Sequence, residues 1–123
     1  MRFDRDLMRG SLDLMVLSVL AEGPKYGYLI QKQIGQASGR LVRLQAGTLY
    51  PLLHRLEQAG AITSRWDKTT GRDRKWYELT DAGRRRLQTQ ASQWEQYAAC
   101  VRRLLSVAVG DLPQASQPEP EPA

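Results

Sequence analysis

Apolar and polar positions along residues 46–60 follow the period of an α-helix. Apolar residues occupy positions i, i+3, i+4 and i+7, and they are Leu49, Leu52, Leu53 and Leu56. This spacing predicts a helix with one buried face. At about 100° per residue, the opposite face carries Pro51 and the polar or cationic residues His54, Arg55 and Gln58, with Thr48 and Tyr50 at its flanks. An ordinary amphipathic surface helix has the same pattern, so the segments around this central helix decide its interpretation.

Capping residues predict where the central helix begins and ends. We expect Thr48 to cap its start through the hydroxyl group. Pro51 is expected in the first turn, where a missing N–H costs little. Gly60 is expected to end the helix, because glycine enters the left-handed C′ conformation freely.

Two helices and a short strand are predicted before the central helix. Residues 11–21 carry an apolar stripe wide enough for burial on more than one side, and a Gly-Pro pair follows them. Residues 25–34 form a second amphipathic helix with Gly27 inside it. Because glycine costs about 1 kcal/mol relative to alanine in a helix, we expect another backbone segment to approach closely there. Residues 41–44 are β-prone and predict a small strand.

The segment after the central helix predicts a β-hairpin. Residues 62–66 alternate between apolar and polar, which is the period of a half-buried strand, and residues 74–79 form an aromatic-rich second strand. Residues 67–73 between them are polar with a glycine near the tip, so we expect a long, exposed loop. Cations cluster around this tip, and they are Lys68, Arg72, Arg74 and Lys75.

A long helix is predicted from Thr80 to about Ala108. Asp81 near its start suits the helix dipole. Further along, residues spaced alternately by four and three positions form the a/d seam of a coiled coil, and they are Leu87, Ala91, Trp94, Ala98, Val101, Leu105 and Ala108. A lone helix of this length has little of its own domain to pack against. We therefore interpret the seam as a dimerisation element, with packing back onto the first helix as the alternative.

The order of these elements is typical of a winged helix-turn-helix with a C-terminal extension. The expected fold class is mainly α with a small β-hairpin. We divide the chain into a winged helix-turn-helix domain at residues 1–79, a dimerisation helix at 80–109 and a tail at 110–123. The tail is rich in Pro, Glu and Gln with one leucine, so we expect it to be disordered.

Charge favours a polyanionic partner. The 123 residues include 18 basic and 13 acidic side chains, which give a net charge of +5, and three of the acids lie beyond Gly110. A basic domain with an acid-containing tail indicates nucleic acid as the first candidate partner.

The inventory of reactive residues argues against an enzyme. His54 and Cys100 are the single histidine and the single cysteine, too few for the usual ligands of a zinc site. No glycine-rich phosphate loop follows a strand. We therefore expect no catalytic residues, no metal and no cofactor.

Cysteine usage and hydropathy predict a cytoplasmic protein. One cysteine permits no internal disulfide, which fits a reducing compartment. No apolar run reaches the ~18 residues of a membrane span, and the N-terminus lacks the pattern of a signal peptide. We expect no membrane partner.

Three stretches of the chain carry a resemblance to a known family. They read LDLMVLSVLAEGPKYGYLI, AGTLYPLLHRLEQAGAI and GRDRKWYELTDAGRR. With their spacing, they resemble the PadR family of bacterial transcriptional regulators, in the short form with a single C-terminal helix, over about residues 11–105. The resemblance implies a homodimer whose C-terminal helices interlock and often contact the first helix. It also implies that the central helix enters the major groove of double-stranded DNA. The predicted hairpin of residues 62–79, called the wing, is then expected to touch the DNA backbone or minor groove. Many relatives are repressors that a small molecule or stress signal releases.

Under this interpretation, the polar face of the central helix contacts DNA. Thr48 and Tyr50 at its N-terminal end suit a phosphate oxygen, and Pro51 lies on the same face. The candidates for reading base edges are His54, Arg55 and Gln58, since Arg pairs bidentately with guanine and Gln with adenine. Tyr50 could instead pack over the second helix, and Arg55 could pair with an acidic neighbour.

Other cations are candidates for phosphate contacts. Lys25 lies at the expected start of the second helix, and the wing supplies Lys68, Arg72, Arg74 and Lys75. A solvated hairpin tip would explain the wing cations equally simply. The consecutive cations 84–86 point in three directions on a helix, so one or two of them serve DNA or pair with acids.

Trp94 is a candidate effector contact. It lies at the middle of the seam between Ala91 and Ala98, and two-fold symmetry could pair it with its mate across a slot for a planar aromatic small molecule. Plain dimer core is the alternative. The other class of function is a winged-helix protein–protein interaction module without specific DNA binding.

Overall fold

Four helices and three strands make up the described part of the chain. The computed structural model describes residues 10–69, 71 and 73–110. In chain order the elements are α1 (Leu12–Leu20), β1 (Lys25–Tyr26), α2 (Gly27–Ala37), α3 (Ala46–Gln58), β2 (Ile62–Asp67), β3 (Arg74–Leu79) and α4 (Asp81–Val109). The strands form one antiparallel sheet in the order β1-β3-β2. This is a winged helix-turn-helix with a long C-terminal helix, which confirms the expected fold class.

One hydrophobic core joins α1, α2, α3 and one face of the sheet. Its most deeply buried side chains include Leu17, Leu20, Ile30, Leu49, Leu53 and Ile62. All four leucines of the predicted stripe on α3 are buried, as their i, i+3, i+4, i+7 spacing requires. The burial of this stripe fixes which face of α3 points outward.

The start of the second helix differs from the sequence prediction. We expected a helix from residue 25, but Lys25 and Tyr26 are extended and pair with Tyr77 and Trp76 of β3. The free edge of β3 offers backbone partners to this dipeptide, and such tertiary pairing overrides a weak helix propensity. The helix α2 therefore begins at Gly27.

Residues 41–44 form no strand, contrary to the prediction. Val42 and Leu44 are buried, but side chains satisfy their backbone groups. The Val42 N–H donates to Ser38 Oγ at 3.0 Å, and Gln31 Nε2 donates to the Leu44 carbonyl at 2.9 Å. The β-prone residues here are therefore buried in an irregular segment and pair with no strand.

The helix α3 begins three residues earlier than a Thr48 cap would place it. Gln45 is the N-cap, and its carbonyl accepts from the N–H groups of Thr48 and Leu49 at 3.0 and 2.9 Å. Ala46 and Gly47 form the first two residues of the helix. Consequently Thr48 lies inside the first turn, and Pro51 lies in the second turn instead of the first.

The C-terminal end of α3 agrees with the prediction. Gly60 has a φ of +79°, which only glycine adopts without strain. Its N–H donates to the Glu57 carbonyl at 3.0 Å, and the Ala61 N–H donates to the Leu56 carbonyl at 3.0 Å. These two bonds form a Schellman motif.

The start of α4 is bonded directly to this end of α3. Thr80 is the N-cap of α4, where its hydroxyl accepts from the Gly83 N–H at 3.0 Å. The same hydroxyl donates to the Gly60 carbonyl at 2.6 Å and lies 3.0 Å from that of Ala61. A Cβ on Gly83 would clash with the Ala61 carbonyl, so glycine permits this close approach. We call the contact among Gly60, Ala61, Thr80 and Gly83 the α3–α4 joint.

Beyond its first turns, α4 leaves the core. Its beginning packs against α1 and β3, and Leu87 packs against the core cluster. Further along the predicted seam, Trp94 is 45% exposed, Val101 37% and Leu105 41%. Leu87 therefore packs on this domain, as the alternative interpretation of the seam expected, while the distal apolar face is uncovered in the described chain. The tail beyond residue 110 lies outside the described residues.

Candidate nucleic-acid interface

The polar face of α3 is exposed along its length. The side chains of Thr48, Pro51, His54 and Gln58 are all exposed, because the leucine stripe holds the opposite face in the core. The helix therefore presents one imidazole, one amide and one hydroxyl toward solvent on a single side. Imidazole and amide groups both donate and accept hydrogen bonds, as base edges require.

Tyr50 combines packing with exposure. Its ring lies over Gly27, where an added Cβ would be 2.9 Å from the Tyr50 Cζ atom. The close approach that we expected at Gly27 is therefore made by an aromatic side chain and not by backbone. Tyr50 remains 48% exposed, so it packs over α2 and still reaches solvent.

Arg55 pairs with an acid on α1. Its Nη2 lies 3.7 Å from Asp13 Oδ1. Arg86 of α4 approaches the other oxygen of the same carboxylate at 3.2 Å. The alternative that we kept open for Arg55, an ion pair with an acidic neighbour, is present in the structure. Among the consecutive arginines 84–86, Arg86 makes this contact while Arg84 is exposed.

The wing cations differ in their surroundings. Lys68 is exposed, and the Arg74 guanidinium lies 4.6 Å from the Tyr26 ring centroid. Lys75 Nζ lies 4.0 Å from Glu57 Oε1 and 5.8 Å from the ring centroids of both Trp66 and Tyr77. Arg72 lies outside the described residues.

Lys25 is buried, although we expected it at an accessible helix start. It lies in β1, and its Nζ is 3.6 Å from Glu22 Oε2. Since the extended dipeptide replaces the first turn of the predicted helix, the side chain does not project as a helix N-terminus would direct it.

An aromatic cleft lies between α2, the start of α3 and the wing. Its volume is about 420 Å³, and its lining includes Tyr26, Tyr28, Tyr50, Trp66, Arg74 and Lys75. Tyr28 and Trp66 are largely exposed. Sequence reasoning missed both, because single exposed aromatics carry no periodic signal until the fold brings them together.

A basic cleft lies on the other side of α2. Its volume is about 320 Å³, and Gln31, Lys32, Gly35, Gln36, Arg40 and Arg43 line it. Its three cations escaped the sequence analysis, because they are spread over α2 and the irregular segment that leads into α3. The two arginines of that segment, Arg40 and Arg43, were the sequence signal from which a basic surface could have been predicted.

Two pKa shifts report on the wing. Hydrogen bonds from the Thr69 hydroxyl at 2.6 Å and the Thr69 backbone N–H at 2.9 Å lower the pKa of Asp67. Burial raises the pKa of Tyr77, with smaller contributions from Tyr50 and Glu57. Ser64 also donates a hydrogen bond to Glu57, so Glu57 joins α3 to both wing strands.

The described part of the chain has neither a metal-binding cluster nor a bilayer-spanning helix. There, no group of three or more His, Cys, Asp or Glu side chains could hold a metal ion. Within residues 10–69, 71 and 73–110, none of the helices has the length and apolar character of a bilayer-spanning segment.

Known proteins are similar to this chain in sequence and in fold. A model of the PadR-like transcriptional regulator family matches residues 16–89. A transcriptional regulator of Mycobacterium tuberculosis is 32% identical over 94 residues, which cover 76% of this chain and 85% of that protein.

Solved structures give the same result. A transcriptional regulator from Clostridium thermocellum has a TM-score of 0.75 at 33% identity, covering 80% of this chain and 96% of its own. A PadR family transcriptional regulator from Eggerthella lenta has a TM-score of 0.73 at 39% identity, covering 87% and 88%. The chain therefore belongs to the PadR-like family of transcriptional regulators.

Proposed function

We propose that this regulator binds double-stranded DNA sequence-specifically as a homodimer, and that it represses transcription by occupying a dyad-symmetric operator. The observation that carries this proposal is α3, which buries its leucines and leaves a continuous polar face with His54 and Gln58 exposed. An α-helix fits the major groove of B-DNA. No cofactor or catalytic step is needed for this activity.

Exposed cations outside α3 suit the DNA backbone. The wing supplies Lys68, and the basic cleft supplies Lys32 and Arg43. Phosphate contacts from these two surfaces would hold the helix in register, while its polar face reads the bases. Thr48 and Tyr50, in the first two turns of α3, would donate hydroxyl hydrogen bonds to a phosphate oxygen.

The distal part of α4 supports a dimer of the same chain. Trp94, Val101 and Leu105 lie on one face and are partly exposed, and each contributes about 1–2 kcal/mol when moved out of water. Two copies paired through this face would place two α3 helices about a two-fold axis. Half-sites about one helical turn apart, or a multiple of it, follow from that symmetry.

Trp94 is our candidate contact for a planar aromatic effector. Its ring centroid lies 6.5 Å from that of Tyr97, so the exposed face of α4 offers two neighbouring rings for stacking. With Trp66 and Trp76 replaced by Phe, Trp94 fluorescence should be quenched saturably by such compounds, with loss of operator affinity. Absence of quenching at micromolar concentrations, together with dissociation of a Trp94→Ala dimer, would make the residue structural only.

Selection of bound genomic fragments at moderate salt tests the central proposal. We expect a dyad-symmetric motif to be enriched. Binding that is indifferent to sequence, with no motif enriched, would refute specific DNA recognition and favour a protein–protein interaction module.

Salt dependence separates the two kinds of contact. Lys68→Ala should weaken binding to all duplexes alike and reduce the slope of log affinity against log salt by about one. His54→Ala and Gln58→Ala should instead relax preference at particular bases. Arg103→Ala, on the face of α4 away from the seam, is a charge-matched control whose slope should stay near that of the unmodified protein. A Lys68→Ala variant with altered base preference and an unchanged slope would contradict this assignment.

A further inference from the structure

One carboxylate connects three helices at the edge of the exposed face of α3. Asp13 lies in α1, and its two oxygens face two different guanidinium groups. Oδ1 is 3.7 Å from Arg55 Nη2 of α3, and Oδ2 is 3.2 Å from Arg86 Nη2 of α4. The three groups are separated by many residues in the sequence and meet only in the fold.

The burial of the three groups is graded. The side chains of Asp13 and Arg86 are 26% and 32% exposed, whereas that of Arg55 is 67% exposed. The Asp13–Arg86 pair is therefore less exposed to solvent than the Asp13–Arg55 pair, and Arg86 donates a hydrogen bond to the carboxylate. Arg55 extends from it into solvent, beside the polar face of α3.

The contact of Arg55 with Asp13 is an ion pair at 3.7 Å, and it leaves donors of the guanidinium available. A guanidinium carries five N–H groups in a fixed fork, and pairing with the O6 and N7 atoms of guanine needs two of them. An unrestrained arginine side chain loses about 2 kcal/mol of rotamer entropy when it is fixed. It can also turn to the nearest phosphate, which carries no base information.

We propose that Asp13 is a positioning residue for base recognition: with Arg86 holding its other oxygen, it fixes the Arg55 guanidinium so that this group pairs with guanine instead of phosphate. This inference rests on the proposed DNA binding. It assigns a role in base specificity to Asp13 on α1, outside the helix α3 that would enter the groove. It also connects the Arg55 guanidinium to the start of α4 through Arg86.

The test compares two variants that each lose one negative charge. Asp13→Asn removes the charge that restrains Arg55, whereas Glu78→Gln removes an exposed charge on β3. The motif selected by Arg55→Ala first identifies the guanine position that depends on Arg55. Affinity is then measured for the selected operator and for the same operator with that guanine replaced. A bidentate contact is worth about 1–3 kcal/mol, or roughly 5- to 150-fold.

We expect Asp13→Asn to reduce the preference for guanine about 3- to 10-fold while raising affinity for unrelated duplexes. Glu78→Gln should leave the guanine preference intact. Arg86→Gln should reduce it in the same direction as Asp13→Asn, because the carboxylate loses its anchor. The double variant Asp13→Asn/Arg55→Ala should discriminate no less than Arg55→Ala alone.

Three outcomes would overturn the inference. They are an unchanged guanine preference in Asp13→Asn, an Arg55→Ala variant that keeps the full motif, and an equal loss of preference in Glu78→Gln. If thermal unfolding shows that Asp13→Asn is not folded, Arg86→Gln and its double variant with Arg55→Ala supply the same comparison. Failure of the unmodified protein to prefer any sequence would instead refute the proposed function itself.

Discussion

The α3–α4 joint makes Gly83 a position where alanine should be harmful. A Cβ at Gly83 would lie 3.0 Å from both the Ala61 carbonyl carbon and Leu79 Cδ2, and closer still to the Ala61 oxygen. That oxygen is backbone and already accepts from the Thr80 N–H at 3.1 Å, so it cannot turn aside. Gly83→Ala must therefore push the first turn of α4 outward.

The magnitude follows from two opposing effects. Replacing a helical glycine by alanine stabilises a protein by up to about 1 kcal/mol through helix propensity, whereas overpacking costs about 1–3 kcal/mol. A fixed backbone neighbour places Gly83→Ala toward the upper end of that range. We expect a net destabilisation of about 1–2 kcal/mol.

Gly35 is a matched control. It lies near the end of α2, with nothing within 4 Å of its added Cβ. Gly35→Ala should therefore stabilise the protein by about 0.5–1 kcal/mol. The two variants carry the same chemical change in helices of the same domain, yet their effects should have opposite signs.

Thermal and urea unfolding at one fixed protein concentration measure both variants. The fixed concentration is needed because dimerisation would make Tm depend on it. At about 4 °C per kcal/mol for a chain of this size, the two Tm values should differ by roughly 6–12 °C. A Gly83→Ala variant that is as stable as Gly35→Ala would refute the argument that the Ala61 carbonyl blocks a side chain there.

Three further predictions concern binding, pH and assembly. Gly27→Ala should displace the half-exposed Tyr50 ring and lower operator affinity about fivefold, equivalent to about 1 kcal/mol. The Tm should change little. Wild-type affinity in a gel-shift titration would exclude Tyr50 as a contact. Because burial raises the pKa of Tyr77 above its unfolded value of 10.0, the folded state keeps this proton longer, so its contribution is present below about pH 10 and is lost as pH rises further. Tyr77→Phe should therefore flatten the alkaline decline of Tm, and parallel declines in both proteins would contradict this. Leu105→Glu should yield monomers in sedimentation with much weaker operator binding, while Gln96→Glu, on the opposite side of α4, should stay dimeric; an intact Leu105→Glu dimer would refute the seam.

Local signals account for the parts of the fold that the sequence predicted well. The strand over residues 74–79 was predicted with the observed bounds, and α4 from its Thr80 start, because alternation and capping are encoded within a few neighbouring residues. Gly60 ends α3 for the same kind of reason. The two-residue strand β1 was missed because its partners, Trp76 and Tyr77, lie some fifty residues away.

The candidate site was harder to predict than the fold. The outward face of α3 follows from its leucines, so His54 and Gln58 were placed correctly on an exposed surface. Ion pairs were not predictable in detail: sequence reasoning allowed an acidic partner for Arg55 but could not name Asp13. Which acid faces which cation depends on how α1, α3 and α4 pack.

The α3–α4 joint has a mechanical consequence. With 29 residues and a rise of 1.5 Å each, α4 extends about 40 Å from this joint. A lever of that length converts a tilt of about 5° at the joint into a displacement of about 4 Å at its far end, by the same helix geometry. In the proposed dimer, the two α4 helices would meet along the apolar seam. Small angular changes at Gly83 would then alter the distance between the two copies of α3.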